Sequence, residues 1–579
     1  MKYLHVFNSE TDYNTVRESN YKEPWVSATN MGVGDSTPSY RVDYNINPKE
    51  IPLTFEITSA GNIVWLTYDS EYTVTLEYSK NGGEWTPITS SEEGASISVS
   101  AGDAVQFRCG TDSGYDTMSG NNVFEETTCG FNLSGNIMSL LNKNFASLNT
   151  LQSDDTFSDL FYGCTGLTDA SKLVLPATTL SEGCYYDMFC DCTSLTKAPE
   201  LPATTLADSC YNDMFNNTNV LPDCSNIDFT SATVVASGGL KGLFSGTEVT
   251  DNDLRQILPI NPSTNNYYLP ATTLAQSCYK GMFYGCTSLT TAPELPATTL
   301  ADNCYQGMFY GCDNLTTAPA LPATTLANYC YYEMFYGCIS LTAAPELPAT
   351  TLADSCYRSM FYGCSSLTTA PALPATTLAE GCYYYMFART SLTTAPELPA
   401  TTLADACYGA MFAGCTSLTT APELPVTTLT YSCYSSMFSG CTSLTTAPEL
   451  PATTLAISCY RYMFQGCTGL TTAPELPATT LAISCYYAMF QGCTSLTTAP
   501  ALPATTLADE SIQCYEQMFN GCSSLNYIKA MFTTTPGSSF TNNWVSGVAA
   551  SGTFVKNSAA TWNVTGTSGI PTGWTVQTV

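Results

Sequence analysis

One sentence, Cys-Tyr-x-x-Met-Phe-x-Gly-Cys-Thr-Ser-Leu-Thr-Thr-Ala-Pro-Glu-Leu-Pro-Ala-Thr-Thr-Leu-Ala-x-x, recurs along the chain and limits what it can fold into. A clean copy runs from Cys278 to Asn303. Further copies start at Cys304, Cys330, Cys356 and Cys382 at 26-residue steps, and at Cys407 after a step of 25. A unit this short cannot bury its own apolar face, whereas stacked copies share one core, so the repeat predicts a solenoid. Counting one Phe per coil from Phe161 to Phe519 gives fourteen coils. With stacked strands about 4.8 Å apart, the rod is expected to be roughly 65–70 Å long.

Within a coil, Cys278, Met282 and Cys286 fall at i, i+4 and i+8, with Tyr279 and Phe283 alongside, which predicts one apolar face of a short helix. Gln276, Lys280 and Tyr284 share the opposite spacing and are expected to face solvent. Gly285 suits a left-handed helix end. Ser288-Leu-Thr-Thr-Ala reads as a short strand with Leu289 inward and threonines outward. Pro293 and Pro296 mark corners, where a missing amide donor does least harm, and Leu295 and Leu300 point back to the core. The expected fold class is therefore an α/β repeat solenoid, each coil a short helix plus a short strand.

The rest of the chain is read as attached to this rod or capping it. Residues 1–50 form a leader with apolar anchors at Tyr3, Val6, Phe7, Tyr13 and Trp25 and a short strand at Tyr40-Arg-Val-Asp-Tyr; it is an attachment segment or a cap on the next domain. Residues 51–130 are strand-like in Leu53-Thr-Phe-Glu-Ile, Ile63-Val-Trp-Leu, Ile97-Ser-Val-Ser and Ala104-Val-Gln-Phe-Arg-Cys and alternate with period two in Thr73-Val-Thr-Leu-Glu-Tyr, with a hairpin turn at Lys80-Asn-Gly-Gly-Glu. They predict a small β-sandwich. The solenoid is assigned residues 131–525, with an irregular insertion near 216–268 that holds one decayed coil at Gly242-Leu-Phe-Ser-Gly. Residues 526–579, with Trp544, Phe554, Trp562 and Trp574, are assigned as a C-terminal cap, because a last coil would otherwise expose an apolar end and an open strand edge.

Acidic residues outnumber basic ones by 49 to 18, a net charge of −31. That balance argues against nucleic acid and anionic membranes as partners, since both require a basic surface. No run of about 18 apolar residues suggests a membrane span, and the N-terminal sequence lacks the apolar core of a signal peptide. Read from Met1, the chain is expected to fold in a reducing cytoplasm, where its 27 cysteines serve as small buried apolar groups. The paired cysteines stand eight apart, outside zinc-site spacing. Equivalent cysteines in adjacent coils come about 5 Å apart, within disulfide reach, but stacked free thiols are the expected state. The coil at Phe387 has Ala388-Arg-Thr in place of its second Cys, so no pairing rule is enforced.

Glu294, Glu346, Glu397, Glu423, Glu449 and Glu475 form a carboxylate series that is either a calcium ladder or a set of solvated turn residues. Ala320, Ala372 and Ala501 replace it freely, which favours the second reading. There is no Ser-His-Asp, Cys-His or phosphate-cradling loop, and the single histidine, His5, lies in the leader. No enzyme activity, cofactor or metal is expected.

Comparison of coils separates constant from variable positions. The pair between Tyr and Met changes almost every time: Lys280-Gly281, Gln306-Gly307, Tyr332-Glu333, Arg358-Ser359, Tyr384-Tyr385, Gly409-Ala410, Ser435-Ser436, Arg461-Tyr462, Tyr487-Ala488. The residue after Phe is Tyr284, Tyr310, Tyr336 and Tyr362 in successive coils, then Ala388, Ala413, Ser439, Gln465 and Gln491. Tyr, Ser, Gly and Arg suit recognition surfaces, because tyrosine offers a large amphipathic contact at low entropic cost. Drift at unconstrained exposed sites is the competing reading. The candidate binding surface is Lys280, Tyr284, Gln306, Tyr310, Tyr332, Tyr336, Arg358, Tyr362, Tyr384, Tyr385, Arg461, Tyr462 and Tyr487.

The block Met/Ala-Phe-x-Gly-Cys-x-x-Leu followed by a Leu-Pro turn resembles the BspA-type leucine-rich repeat, over about residues 155–525. The resemblance implies a solenoid with a strand face and a helix face, used for adhesion and protein binding. This chain departs from it in having Met before Phe, where Ala is common, and in lacking an export signal. Tyr21-Lys-Glu-Pro-Trp-Val-Ser and Gly569-Ile-Pro-Thr-Gly-Trp-Thr-Val resemble structural proteins encoded by phages and prophages of gut Bacteroidales. A virion protein is assembled in the host cytoplasm and requires no signal. The expected function is thus a non-enzymatic virion fibre or decoration protein, attached to other virion proteins through its N-terminal segment and touching a host-surface or mucosal protein or glycan. The alternatives are a bacterial cell-surface adhesin and, disfavoured for want of a catalytic pair, a glycan-active enzyme.

Overall fold

The computed structural model describes residues 2–7, 40–45, 47–116, 118, 120–203, 206–218, 234–507 and 512–579. Tyr13, Trp25, the Tyr21–Ser27 stretch, Cys224 and the rest of residues 219–233 in the insertion lie outside the described residues. The strand at Tyr40 is present: β1 (Lys2–Phe7) pairs antiparallel with β2 (Tyr40–Asn45), His5 opposite Val42.

The segment between the two cysteines of a coil is a run of tight turns, which corrects the expected helix. In the coil from Ser277, every fourth residue sits at positive φ: Ser277 at 56°, Gly281 at 60° and Gly285 at 69°. Alternate amides close turns three residues back, as Lys280 N–H to Ser277 O (3.1 Å) and Met282 N–H to Tyr279 O (3.2 Å). The amides between them leave the coil: Ser277, Tyr279, Gly281, Phe283 and Gly285 donate to Asp302, Cys304, Gln306, Met308 and Tyr310 of the next one. A helix keeps all such bonds inside itself, four residues apart; here half of them tie neighbouring coils together. Among the described residues the helices are Asp251–Ile257 (α1), Ser538–Thr541 (α2) and short 3₁₀ turns, and none of these forms the repeated helical segment that was expected.

The expected strand at Ser288–Ala292 is reduced to single parallel bridges such as Thr291 to Thr317 and Thr446 to Thr472. Threonine hydroxyls reinforce them: Thr316 Oγ1 donates to Thr290 O at 3.2 Å and Thr471 Oγ1 to Thr445 O at 3.2 Å. The constant residues fill the interior. Cys278, Met282, Phe283, Cys286 and Leu289 have no exposed surface, Tyr279 and Leu295 almost none, and Leu300 is half-buried.

Phe rings stack without a break from Phe161 to Phe519, 5.6–6.4 Å apart. Phe244, in the decayed coil, takes its place in this column, and Gly238, Leu240, Gly242, Phe244 and Gly246 all donate to the coil of Tyr279. The second cysteine of each coil adds a further tie. Cys312, Cys338, Cys364 and Cys467 donate Sγ–H at 3.0 Å to the carbonyls of Phe283, Phe309, Phe335 and Phe438 one coil back. Burial pushes the thiols of Cys286, Cys364, Cys467 and Cys522 up to about 12, so they stay protonated and able to donate. Where Thr390 replaces Cys, its hydroxyl turns to Phe387 O of its own coil at 2.8 Å. Every described cysteine is buried, and those other than Cys514 are free thiols. A water-soluble disulfide reagent is therefore expected to label almost no thiol in the folded protein and most of the 27 after unfolding. Near-complete pairing in the unfolded titration would contradict this.

The N-terminal strands join the same core. The hairpin turn places Asn81 and Gly82 at φ 54° and 72°. β3 (Leu53–Ile57), β5 (Thr75–Lys80), β6 (Thr86–Thr89), β8 (Ala104–Cys109), β10 (Phe131–Asn136) and β11 (Leu167–Val174) form one sheet in the order β11-β10-β3-β8-β5-β6. β4 (Gly61–Thr67), β7 (Ala95–Val99) and β9 (Asn122–Val123) form a second sheet, order β7-β4-β9. Trp65, Phe55 and Phe107 meet at Phe124 between the sheets, and Phe124 stacks on Phe161 at 5.7 Å. Parallel pairing of β10 with β11 carries the sheet into the first coils.

At the other end, Tyr515, Gln517, Phe519 and Gly521 donate to Phe540, Asn542, Trp544 and Ser546, so the segment assigned as a cap begins as one more coil. Tyr527–Ala530, Thr553–Lys556 and Thr575–Thr578 then pair as a parallel sheet.

The first coils hold a column of half-buried carboxylates, Asp159, Asp187 and Asp213, each at positive φ. Burial first, then Asp155 and Glu125, raises Asp159 to about 6; burial, then Asp213 and Asp159, raises Asp187 to about 7. Asp213 is also raised by burial, with Lys241 opposing. Folded values above the unfolded one mean stability that is full below about pH 3.9 and is lost as pH rises through 6 to 7. Asp103, lowered to about 2 by Lys80 and Asn81, acts oppositely but only below about pH 4. The melting temperature is therefore expected to rise from about pH 8 to about pH 5, with Asp187→Asn flattening the slope. A midpoint that falls over this range would contradict the assignment.

Candidate functional site

The variable positions line up in columns because each coil repeats the same turns one step further along the rod. Tyr284, Tyr310, Tyr336 and Tyr362 form an outer ladder with ring centroids 4.5, 4.5 and 4.6 Å apart and planes within 10° of parallel. Tyr284 is 44% exposed and the others are half-buried against one another. Burial, then Tyr284 and Tyr336, pushes the Tyr310 phenol up to about 12, and burial also raises Tyr336. The ladder consumes its ring faces in stacking. It therefore offers a ligand ring edges and a line of hydroxyls, which suits hydrogen bonding more than face-on stacking of sugars or bases.

The ladder ends on a cluster. Tyr385 meets Tyr362 edge-on at 6.0 Å, and Arg389 lies 5.5 Å over the Tyr362 ring. Tyr384 stands perpendicular to Tyr385 at 4.5 Å, and the Arg358 guanidinium sits between Tyr384 (4.8 Å) and Tyr332 (5.8 Å). Tyr384 lies down over Gly409, where any Cβ would meet its ring at 2.5 Å. A second cluster repeats the arrangement: Arg461 lies 5.0 Å over Tyr462 and 4.8 Å over Tyr487, and the two rings meet edge-on at 5.2 Å. Gln517 Nε2 donates to the Tyr487 hydroxyl at 3.1 Å, and Gln465 Nε2 donates to Gln491 Oε1 at 2.6 Å. Both arginines leave a buried Nε without a partner. Such cation–π contacts contribute about 0.5–2 kcal/mol each and hold the guanidiniums in one orientation. Between the clusters lie small residues: Gly409, Ala410, Ser435 and Ser436.

Of the other candidates, Gln306 is half-buried in the same column as Lys280. Lys280 faces Lys241 and Asp213; burial, then Lys241, lowers its pKa. At the second variable position, Gly281, Gly307, Glu333, Ser359, Tyr385, Ala410, Tyr462 and Ala488 all sit at positive φ, so backbone strain as well as display governs what stands there. Glu294 of the carboxylate series accepts from Asn261 Nδ2 at 2.7 Å and from Thr264, and Glu346, Glu397, Glu423, Glu449 and Glu475 are exposed. Among the described residues no three His, Cys, Asp or Glu side chains come together for a metal.

One column was missed. The position two residues before each first Cys carries Asp302, Asn328, Asp354, Glu380 and Asp405, then Tyr431, Ile457, Ile483 and Ile512. It is as variable as the chosen positions, and a coil-by-coil comparison of the last two blanks of the repeat would have found it.

Residues 276–419, 380–526 and 431–553 match the BspA type leucine rich repeat region, in six copies. Comparison with curated proteins and with solved structures found no match. The coils over residues 276–553, with their stacked Phe column and variable outer face, are thus similar to BspA-type leucine-rich repeats.

Proposed function

We propose that this chain is a non-enzymatic binding protein, a virion fibre or decoration protein of a phage or prophage of gut Bacteroidales. Its coils touch a host-surface or mucosal protein or glycan, and its N-terminal segment attaches to other virion proteins. Repeats of the BspA type suggest a protein-binding or adhesion role, and the virion assignment goes beyond that. The observation that carries the binding reading is the pair of Tyr–Arg clusters on an outer face whose inner residues hardly change from coil to coil. Preorganised Tyr and Arg side chains are typical binding hot spots, because little freedom remains to be lost on contact. The virion reading rests on the short terminal resemblances and is tested by mass spectrometry of purified particles. Finding the chain there supports it. Finding it only in the bacterial outer membrane would move it to the adhesin class.

A further inference from the structure

The missed column is continuous. Ser277, Asn303, Tyr329, Ser355, Gly381, Ala406, Ser432, Ser458 and Ser484 donate their amides to the carbonyls of Asp302, Asn328, Asp354, Glu380, Asp405, Tyr431, Ile457, Ile483 and Ile512 at 2.8–3.1 Å, so these nine residues form one row along the rod. Its character changes once. Asp302, Asp354, Glu380 and Asp405 form no ion pair among the described residues. Beyond Asp405 the row turns apolar, and Tyr431, Ile457, Ile483 and Ile512 stand 54%, 45%, 39% and 42% exposed.

Three observations choose an occupant. The exposed apolar part amounts to less than two whole side chains, far below the ~800 Å² per partner of a stable globular interface, so the row suits a slender partner. Its spacing suits a helix: a helical turn advances about 5.4 Å and same-side residues of a strand about 6.7 Å, against about 4.8 Å per coil. Over the four apolar coils a helix drifts by about 2 Å and a strand by about 6 Å. A second copy of this chain, with net charge −31, would bring carboxylates against carboxylates. We propose that this row docks one amphipathic helix of a partner protein, with apolar residues on Tyr431, Ile457, Ile483 and Ile512 and lysine or arginine on the same helix face over Asp405, Glu380, Asp354 and Asp302. The full row accommodates about 26 helical residues. This goes beyond the outer tyrosine and arginine columns, and its failure leaves them untouched.

The test uses the full chain and synthetic helical peptides of about 26 residues, with Leu along one face of one half and Lys along the same face of the other, made in both sequence directions. Control peptides carry Glu for Lys. Fluorescence anisotropy is expected to show the Leu/Lys peptide binding about tenfold or more tighter than the Leu/Glu one. Ile457→Asp with Ile483→Asp, both exposed and therefore compatible with folding, should weaken binding about tenfold. Asp354 Oδ1 and Asp405 Oδ1 accept the Glu380 and Tyr431 amides at 3.2 and 3.0 Å, so Asp354→Asn, Glu380→Gln and Asp405→Asn together keep those acceptors while removing charge, and should flatten the salt dependence. Equal binding of the two peptides, or unchanged binding by the isoleucine variant, would overturn the proposal. So would concentration-dependent dimerisation that the isoleucine variant abolishes, which would assign the row to a second copy.

Discussion

Phe335→Ala is expected to lower the unfolding free energy by about 3–5 kcal/mol. Phe335 has no exposed surface and lies between Phe309 and Phe361, each 5.6 Å away and nearly parallel. Its backbone is tied twice to the next coil: the amide donates to Met360 O at 3.0 Å, and the carbonyl accepts from Cys364 Sγ at 3.0 Å. The surrounding coils therefore cannot collapse into the space left behind, and the loss includes a cavity as well as buried apolar area. In a stack where each coil touches only its neighbours, a weak interface in the middle also separates two halves that otherwise melt together. Chemical denaturation should show a lower midpoint and a broadened or split transition. A shift below about 1 kcal/mol would mean that the Phe column is not the spine of the rod.

Trp544→Ala has a comparable expected cost, about 3–5 kcal/mol, but a different reach. Trp544 is fully buried and lies over Tyr515 and Phe519 at 6.4 and 6.2 Å, with Phe532 and Phe554 against it. Its Nε1–H donates to Gly569 O at 2.9 Å. It closes the end of the column, so its loss exposes one interface and leaves the central coils with all their neighbours. Hydrogen exchange should accelerate over residues 512–579 and remain unchanged around Phe335. Acceleration spread evenly along the rod would contradict nearest-neighbour stacking.

The repeat, the buried Cys, Met, Phe and Leu positions and the stacking of coils were legible from spacing alone. The conformation of Cys278–Cys286 was not. Apolar residues at i, i+4 and i+8 fit a helix of 3.6 residues per turn and fit equally a turn repeated every four residues. Over two turns the periods differ too little to separate. Gly281 with Gly285, and Gly307 with Gly311, were the available signal, four apart and all at positive φ. Glu333, Tyr385, Arg389 and Tyr462 mask it, because they hold the same conformation with side chains that disfavour it. The tyrosine series at 284–362 was visible as a list, but its stacking, which hides the ring faces, was not. The arginine sandwiches at Arg358 and Arg461 depend on contacts between coils that no single coil encodes. The row from Asp302 to Ile512 is legible only in the last two blanks of the repeat, away from those next to Met and Phe.

The claim that specificity resides on the outer face, with the constant residues serving the core, is tested most directly by one comparison. The full chain and a variant carrying Tyr284→Ser, Tyr310→Ser, Tyr336→Ser and Tyr362→Ser are titrated onto mucin-coated surfaces and intact gut Bacteroidales cells, with melting curves recorded for both. Similar melting is expected, with binding weaker by about tenfold or more in the variant. Equal binding by a folded variant would contradict it and return the tyrosine ladder to a stretch of unselected surface.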